Sequence, residues 1–318
     1  MTAYLQELTL TLGAAVGELS DEQRQRQIDF FIRSQQADGG FMGREGESDL
    51  YYTGFATRAL AILGELQGGP AEQLAGFLES RIQGQETVID FLSLIYSAFL
   101  LNSAASIDVF QQASESWSEQ VASTLETLRR EDGGYAKSPE GAASSTYHSF
   151  LVLLCLQLLE QPLPQPGRLL EFIQSQAWNE GGFREHRVSK RAGTNPTAAA
   201  IGILRILGGI DDTCREQTVD FLADMQVDEG GLRANTRIPI GDILSTFTGI
   251  LTLRDLGAID QIDTSQALQY VHSLQQTDGG SLGAEWDQVC DVEYSFYGMG
   301  ALALLNQYCN KESHASDS

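Results

Sequence analysis

Residues 34–40 read Ser-Gln-Gln-Ala-Asp-Gly-Gly, the end of an amphipathic run closed by an acid and two glycines. The same close returns at Gly133-Gly134, Gly181-Gly182, Gly230-Gly231 and Gly279-Gly280, with successive gaps of 94, 48, 49 and 49 residues. The long gap equals two periods, so a degenerate unit that has lost its glycine pair is expected near residue 86, within Arg81-Ile-Gln-Gly-Gln-Glu-Thr87. The chain then holds six units of roughly 48 residues, a period that belongs to repeat architectures in which each unit buries its apolar face only against its neighbours.

Each unit has one order. An amphipathic stretch such as Gln217–Gln226 places apolar residues at i, i+3 and i+4 with charges between them, the pattern of a surface helix. The glycine pair is expected to stop that helix, because glycine tolerates positive φ at a C-terminal cap. A polar loop of about ten residues follows, and the unit closes on a nearly all-apolar stretch such as Ser144–Leu159. A helix apolar all round is buried on both sides. One half-buried and one fully buried helix per unit predict two concentric rings, inner and outer. Closure is favoured over an open solenoid, because the first and last inner segments are as apolar as the middle ones and offer no polar cap.

Inner-helix starts are marked by Asp49, Asp242 and Asp291 as side-chain caps and by Asn195-Pro196 as a cap followed by proline at the first helical position. In a ring these N-termini share one mouth, and their dipoles favour anionic groups there.

Composition sets bounds. The chain has 318 residues, 42% hydrophobic, and a net charge of −23, which argues against nucleic acid or an anionic membrane as partner of its bulk surface. The four cysteines show no Cys-x-x-Cys spacing and no scaffold density, as expected of reduced thiols in a cytoplasmic protein. The apolar run Leu8–Gly17 has no basic segment before it and is not expected to be a signal peptide; no membrane span is expected. Residues 1–310 are expected as one domain and 311–318 as a flexible polar tail.

The segments Ser34–Gly40, Asp49-Leu-Tyr-Tyr-Thr53 and Asp291-Val-Glu-Tyr-Ser-Phe296 resemble the prenyltransferase and squalene-cyclase repeat, most nearly that of protein farnesyl- and geranylgeranyltransferase β subunits. The resemblance covers roughly residues 20–306 and implies an all-α fold, an α/α toroid of six helical hairpins around a central cavity. It also implies an isoprenoid or isoprenoid diphosphate as ligand and an α-subunit-like helical protein as partner.

In that family a zinc ion is held by Asp and Cys of an Asp-x-Cys-Tyr segment and by His of an Asp-x-x-His-Thr segment one repeat on. Counted in order, these positions fall on Asp242, Leu244 and Tyr294. One repeat on they fall on Asp291, Glu293 and Tyr52; one repeat back, on Gly193, Asn195 and Ser245. No register supplies thiolate, imidazole and carboxylate together, so a zinc site of the family type is not expected.

The family also holds the prenyl diphosphate on a basic patch that includes Arg-x-x-Lys. Arg187 and Lys190 have that spacing, and Arg184, His186 and Arg191 lie beside them. His148 and the aromatics Tyr51, Tyr52, Tyr147 and Tyr297 are further candidates for substrate binding, against the plain alternative of capping and core packing. Asp291, Glu293, Asp242 and Tyr294 are the candidate catalytic residues. Those carboxylates are also of the type that holds Mg²⁺, whereas helix capping explains the aspartates without chemistry. The Asp-x-Asp-Asp acid of some cyclase relatives is absent. Three readings stay open: an enzyme that transfers or cyclises an isoprenoid without zinc, a non-catalytic lipid binder, and a protein scaffold.

Overall fold

The computed structural model describes residues 3–82, 87–111 and 113–316. The degenerate turn expected near residue 86 falls largely on residues 83–86 and so lies outside the described residues. Six inner helices are α3 (Leu50–Leu63), α5 (Val88–Ala105), α7 (Thr146–Leu158), α9 (Thr194–Leu207), α11 (Ile243–Asp255) and α13 (Val292–Ser316). Six outer helices precede them: α2 (Asp21–Ser34), α4 (Gly68–Glu79), α6 (Trp117–Glu126), α8 (Pro166–Ser175), α10 (Asp212–Ala223) and α12 (Thr264–Leu274). Each inner helix packs on the next, and α13 packs back on α3, so the ring is closed. The expected α/α toroid of six hairpins is the observed fold.

The glycine pairs have a different role from the one expected. The amphipathic helix α2 ends at Ser34, and its cap residue Gln35 is extended rather than left-handed. Gly39, at φ 87°, instead closes a tight turn in which its amide donates to the Gln36 carbonyl at 2.9 Å. The Asp38 carboxylate accepts from the Gly40 amide at 3.0 Å. The bare α-carbon lets the turn rest on the next outer helix: a Cβ on Gly39 would overlap the Gln73 carbonyl of α4, and one on Gly181 the Gln217 carbonyl of α10. At the seam Gly279 meets the backbone of Arg26 in α2, so the last turn docks on the first outer helix. The left-handed cap glycines are instead those that end inner helices, Gly64 at φ 80° and Gly208 at φ 70°.

A repeated hydroxyl fastens each turn to its inner helix. The amides of Phe41, Tyr135, Phe183 and Leu232 donate to Thr53, Ser149, Thr197 and Thr246, each at 2.9 Å, and Ser281 donates to Ser295 at 3.0 Å. Buried amides left without partners would cost about 1–3 kcal/mol each, so the hydroxyl is part of the repeat.

Four elements depart from expectation. Residues Tyr4–Val16 form α1, which the repeat period did not include. It crosses the end of the ring formed by inner-helix C-termini and packs on α3, α7 and α13. The Tyr4 amide donates to Gln157 Oε1 at 3.3 Å, and Arg205 bridges Glu7 and Asp255 at 2.5 and 2.7 Å. The inner helix α9 begins at Thr194 with Gly193 as cap, not at Asn195. Pro196 sits within the first turn, where its missing N–H costs nothing, and Asn195 is freed to accept from the Thr248 hydroxyl at 2.7 Å. Third, α5 is by length and composition apolar enough to cross a bilayer, which the sequence was not expected to offer, yet it carries Asp90 and is an inner-ring helix wedged between α3 and α7. The α13 helix runs to Ser316, into the segment expected as a tail.

Candidate functional site

A cavity of about 440 Å³ runs down the ring axis. All six inner helices line it. Tyr51, Phe55 and Arg58 come from α3, Tyr96 from α5, and Tyr147 and Phe150 from α7. The helices α9 and α11 add Asn195 and Thr248, and α13 adds Glu293 and Tyr297. At the C-terminal end Tyr4, Leu5 and Leu8 of α1 close the cavity as a floor. The wall is mostly apolar and aromatic with a few polar groups, the usual make-up of a site for an apolar small molecule. Phe55 and Tyr297 of the wall pack edge-on or tilted with Phe247 and Phe296 behind it, with centroids 5.2–5.8 Å apart.

Three charged side chains face the cavity. Arg58 lies over the rings of Phe55 and Phe296, at 4.2 and 4.9 Å from their centroids, and its Nε donates to the Gly54 carbonyl at 2.9 Å. Helical side chains lean toward the N-terminus, which carries the guanidinium up the wall from its backbone position. Glu293 accepts from the Tyr51 hydroxyl at 2.6 Å. Burial raises its pKa above the usual carboxylate range, against the lowering effect of that hydrogen bond. Glu185 reaches in from the loop after α8, where it accepts from the Ser145 hydroxyl and from the Tyr147 amide at 3.4 Å. Burial lifts the pKa of Tyr51 and of Tyr297 far above 10, so both stay hydroxyl donors.

The structure gathers four of the candidate residues at this cavity: Glu293, Tyr51, Tyr147 and Tyr297. The others lie elsewhere. Asp242 accepts from the Ser245 amide at 2.7 Å and Asp291 from the Tyr294 amide at 2.9 Å, both as helix caps. Asp291 also pairs with Arg44 Nε at 2.9 Å. Tyr294 sits under the Arg44 guanidinium at 5.3 Å, and Tyr52 covers Gly43. His148 stays on the Ser145 cap, with Nδ1 2.9 Å from its hydroxyl. Burial, then Lys137 and His186, push its pKa down to about 4. Arg187, Lys190 and Arg191 are exposed on the loop whose Glu185 enters the cavity, and Arg191 donates to Thr236 at 3.0 Å.

Arg58 and Glu185 were not singled out from sequence. The signal for Arg58 was present, a lone charge in the apolar run Leu50–Leu63. For Glu185 there was none, since nothing local tells which residue of a polar loop turns inward.

The positions that correspond to zinc ligands do not fit the ion. Leu244 is a wall residue of the cavity, Asp242 is engaged by the Ser245 amide, and Tyr294 lies beneath Arg44. Among the described residues no three His, Cys, Asp or Glu side chains gather as a metal-binding group.

Solved structures share the fold at low identity. A chain of Candida albicans protein geranylgeranyltransferase-I, complexed with GGPP, superposes with a TM-score of 0.71 at 16% identity, covering 89% of this chain and 91% of that one. A type II terpene cyclase from Scytonema, in complex with geranylgeranyl dihydroxybenzoate, gives 0.61 at 14% identity, covering 93% and 98%. A glycosidase gives 0.60 at 9% identity over 93% and 97%, so the architecture alone does not decide the chemistry. No curated protein matches the chain in sequence. Residues 4–88 and 74–316 match the prenyltransferase alpha-alpha toroid domain, and the chain belongs to that family.

Proposed function

We propose that this protein binds an isoprenoid chain in its central cavity. The observation that carries the reading is the cavity itself: one apolar, aromatic-lined space of about 440 Å³, walled by every inner helix and floored by α1. Burial of methylene and methyl groups there contributes about 0.8 kcal/mol per CH₂. Two structures with this fold hold geranylgeranyl compounds. The test is calorimetric titration with C15 and C20 isoprenoids beside linear alkyl chains of equal carbon number. Saturable binding of the isoprenoids supports the reading; indifference to all of them removes it and leaves a protein scaffold.

A second reading, cyclisation without a metal, rests on Glu293. Glu293 lines the cavity beside the Tyr51 and Tyr297 rings, which sets a carboxyl proton donor against an alkene carbon of the bound chain. The aromatic faces then stabilise the carbocation until it loses a proton to water, and Glu293 regains one from solvent. Asp291, Asp242 and Tyr294 have no part in this reading, because none of them lines the cavity. Cyclic products from a polyene incubation, absent with Glu293→Gln, support it; their absence with the native protein leaves binding without catalysis.

A further inference from the structure

The charges around the cavity decide which isoprenoid head it takes. Among the described residues Arg58 is the sole cation in the wall. No carboxylate lies within 4.0 Å of its guanidinium among the described residues, whereas Arg44 and Arg205 each carry two carboxylate partners. Among the described residues only its Nε has a hydrogen-bond acceptor, the Gly54 carbonyl, which leaves the Nη edge unspent. The two other charged groups of the wall, Glu185 and Glu293, are acids. The cations that would offset a highly charged head, Arg187, Lys190 and Arg191, are exposed outside the cavity.

We infer that the cavity accepts isoprenoids whose head carries a single negative charge, an isoprenoid carboxylic acid paired with Arg58, and that it rejects isoprenoid diphosphates. This rests on the isoprenoid reading of the cavity. A carboxylate matches the free fork of a guanidinium in two parallel hydrogen bonds and brings a single charge, which Arg58 offsets. A diphosphate brings further negative charge that one arginine cannot offset in a space of low polarity. The rings of Phe55 and Phe296, 4.2 and 4.9 Å from the guanidinium carbon, already restrain it, so less side-chain freedom is lost on pairing.

The test uses one C20 chain with three heads, carboxylic acid, alcohol and diphosphate, titrated into the full-length protein and its Arg58→Met and Arg58→Lys variants. The acid is expected to bind at least about tenfold tighter than the alcohol or the diphosphate, the range of one charge-assisted pair. Arg58→Met should bring the acid to the level of the alcohol, with an unchanged circular dichroism spectrum and thermal midpoint reporting an intact fold. Arg58→Lys should keep part of the preference. Tightest binding of the diphosphate, or an acid affinity unmoved by Arg58→Met, overturns the inference and leaves the isoprenoid reading standing. Failure of all three ligands overturns both.

Discussion

The Tyr51 hydroxyl donates to Glu293 Oε1 at 2.6 Å, joining the first inner helix to the last across the seam where the ring closes. The same seam is fastened outside the cavity by Arg44, which pairs with Asp287 and, at 2.9 Å, with the buried Asp291. A ring of repeats has one joint not made by chain connectivity, so side chains at that joint hold the cavity wall in register.

Replacing Arg44 should loosen this joint. Arg44→Ala leaves the buried Asp291 without its cation, and a loss of about 1–3 kcal/mol is expected in urea unfolding. An unchanged midpoint would mean that packing of α13 on α3 closes the ring unaided.

Glycines with positive φ should differ in cost. Gly64→Ala meets only backbone strain, since nothing lies near its Cβ, and should cost about 1 kcal/mol. Gly181→Ala adds overlap with the Gln217 carbonyl and should cost at least about 2 kcal/mol. Equal losses in thermal unfolding would refute the docking role given to the twin-glycine turn.

The exposed basic loop should be silent in ligand binding. Arg187→Glu combined with Lys190→Glu is expected to change isoprenoid affinity by less than about twofold, because neither side chain lines the cavity. A large loss for any head group would restore the loop to the site.

The floor should set chain length. Leu8→Trp fills the C-terminal end of the cavity and should weaken a C20 ligand about tenfold or more while sparing a C15 ligand. Equal effects on both chains would show that the ligand does not reach α1.

Acid should expose His148. Its folded pKa of about 4 lies below the unfolded value, so the unfolded chain binds more protons between the two. The stability its neutral form contributes is whole above about pH 6.5 and is lost as pH falls toward 4. His148→Gln should flatten that part of the stability profile; an unaltered slope would assign the acid sensitivity to other groups.

The sequence by itself determined the ring. Glycine spacing, alternation of amphipathic and all-apolar helices and the capping aspartates are local features, set by backbone conformation and by burial on one or two sides. They are legible because each is repeated, the glycine pair five times, the helix pair six and the aspartate cap three. The same reading had Gly39 ending a helix, where only the fold reveals a turn docked on Gln73 of the next unit. Tertiary structure alone decided the contents of the cavity. Residues as far apart in the chain as Tyr4, Arg58, Glu185 and Glu293 meet there because ring closure turns one face of each inner helix to the axis. Helix α1 floors it because Arg205, itself held by Asp255, meets Glu7, and Tyr96 donates to the Leu5 carbonyl at that end. Which face turns inward depends on packing against neighbours a full period away. For that reason Asp242 and Arg187, plausible by spacing, lie outside the cavity, and Arg58, a single charge in an apolar run, lies within it.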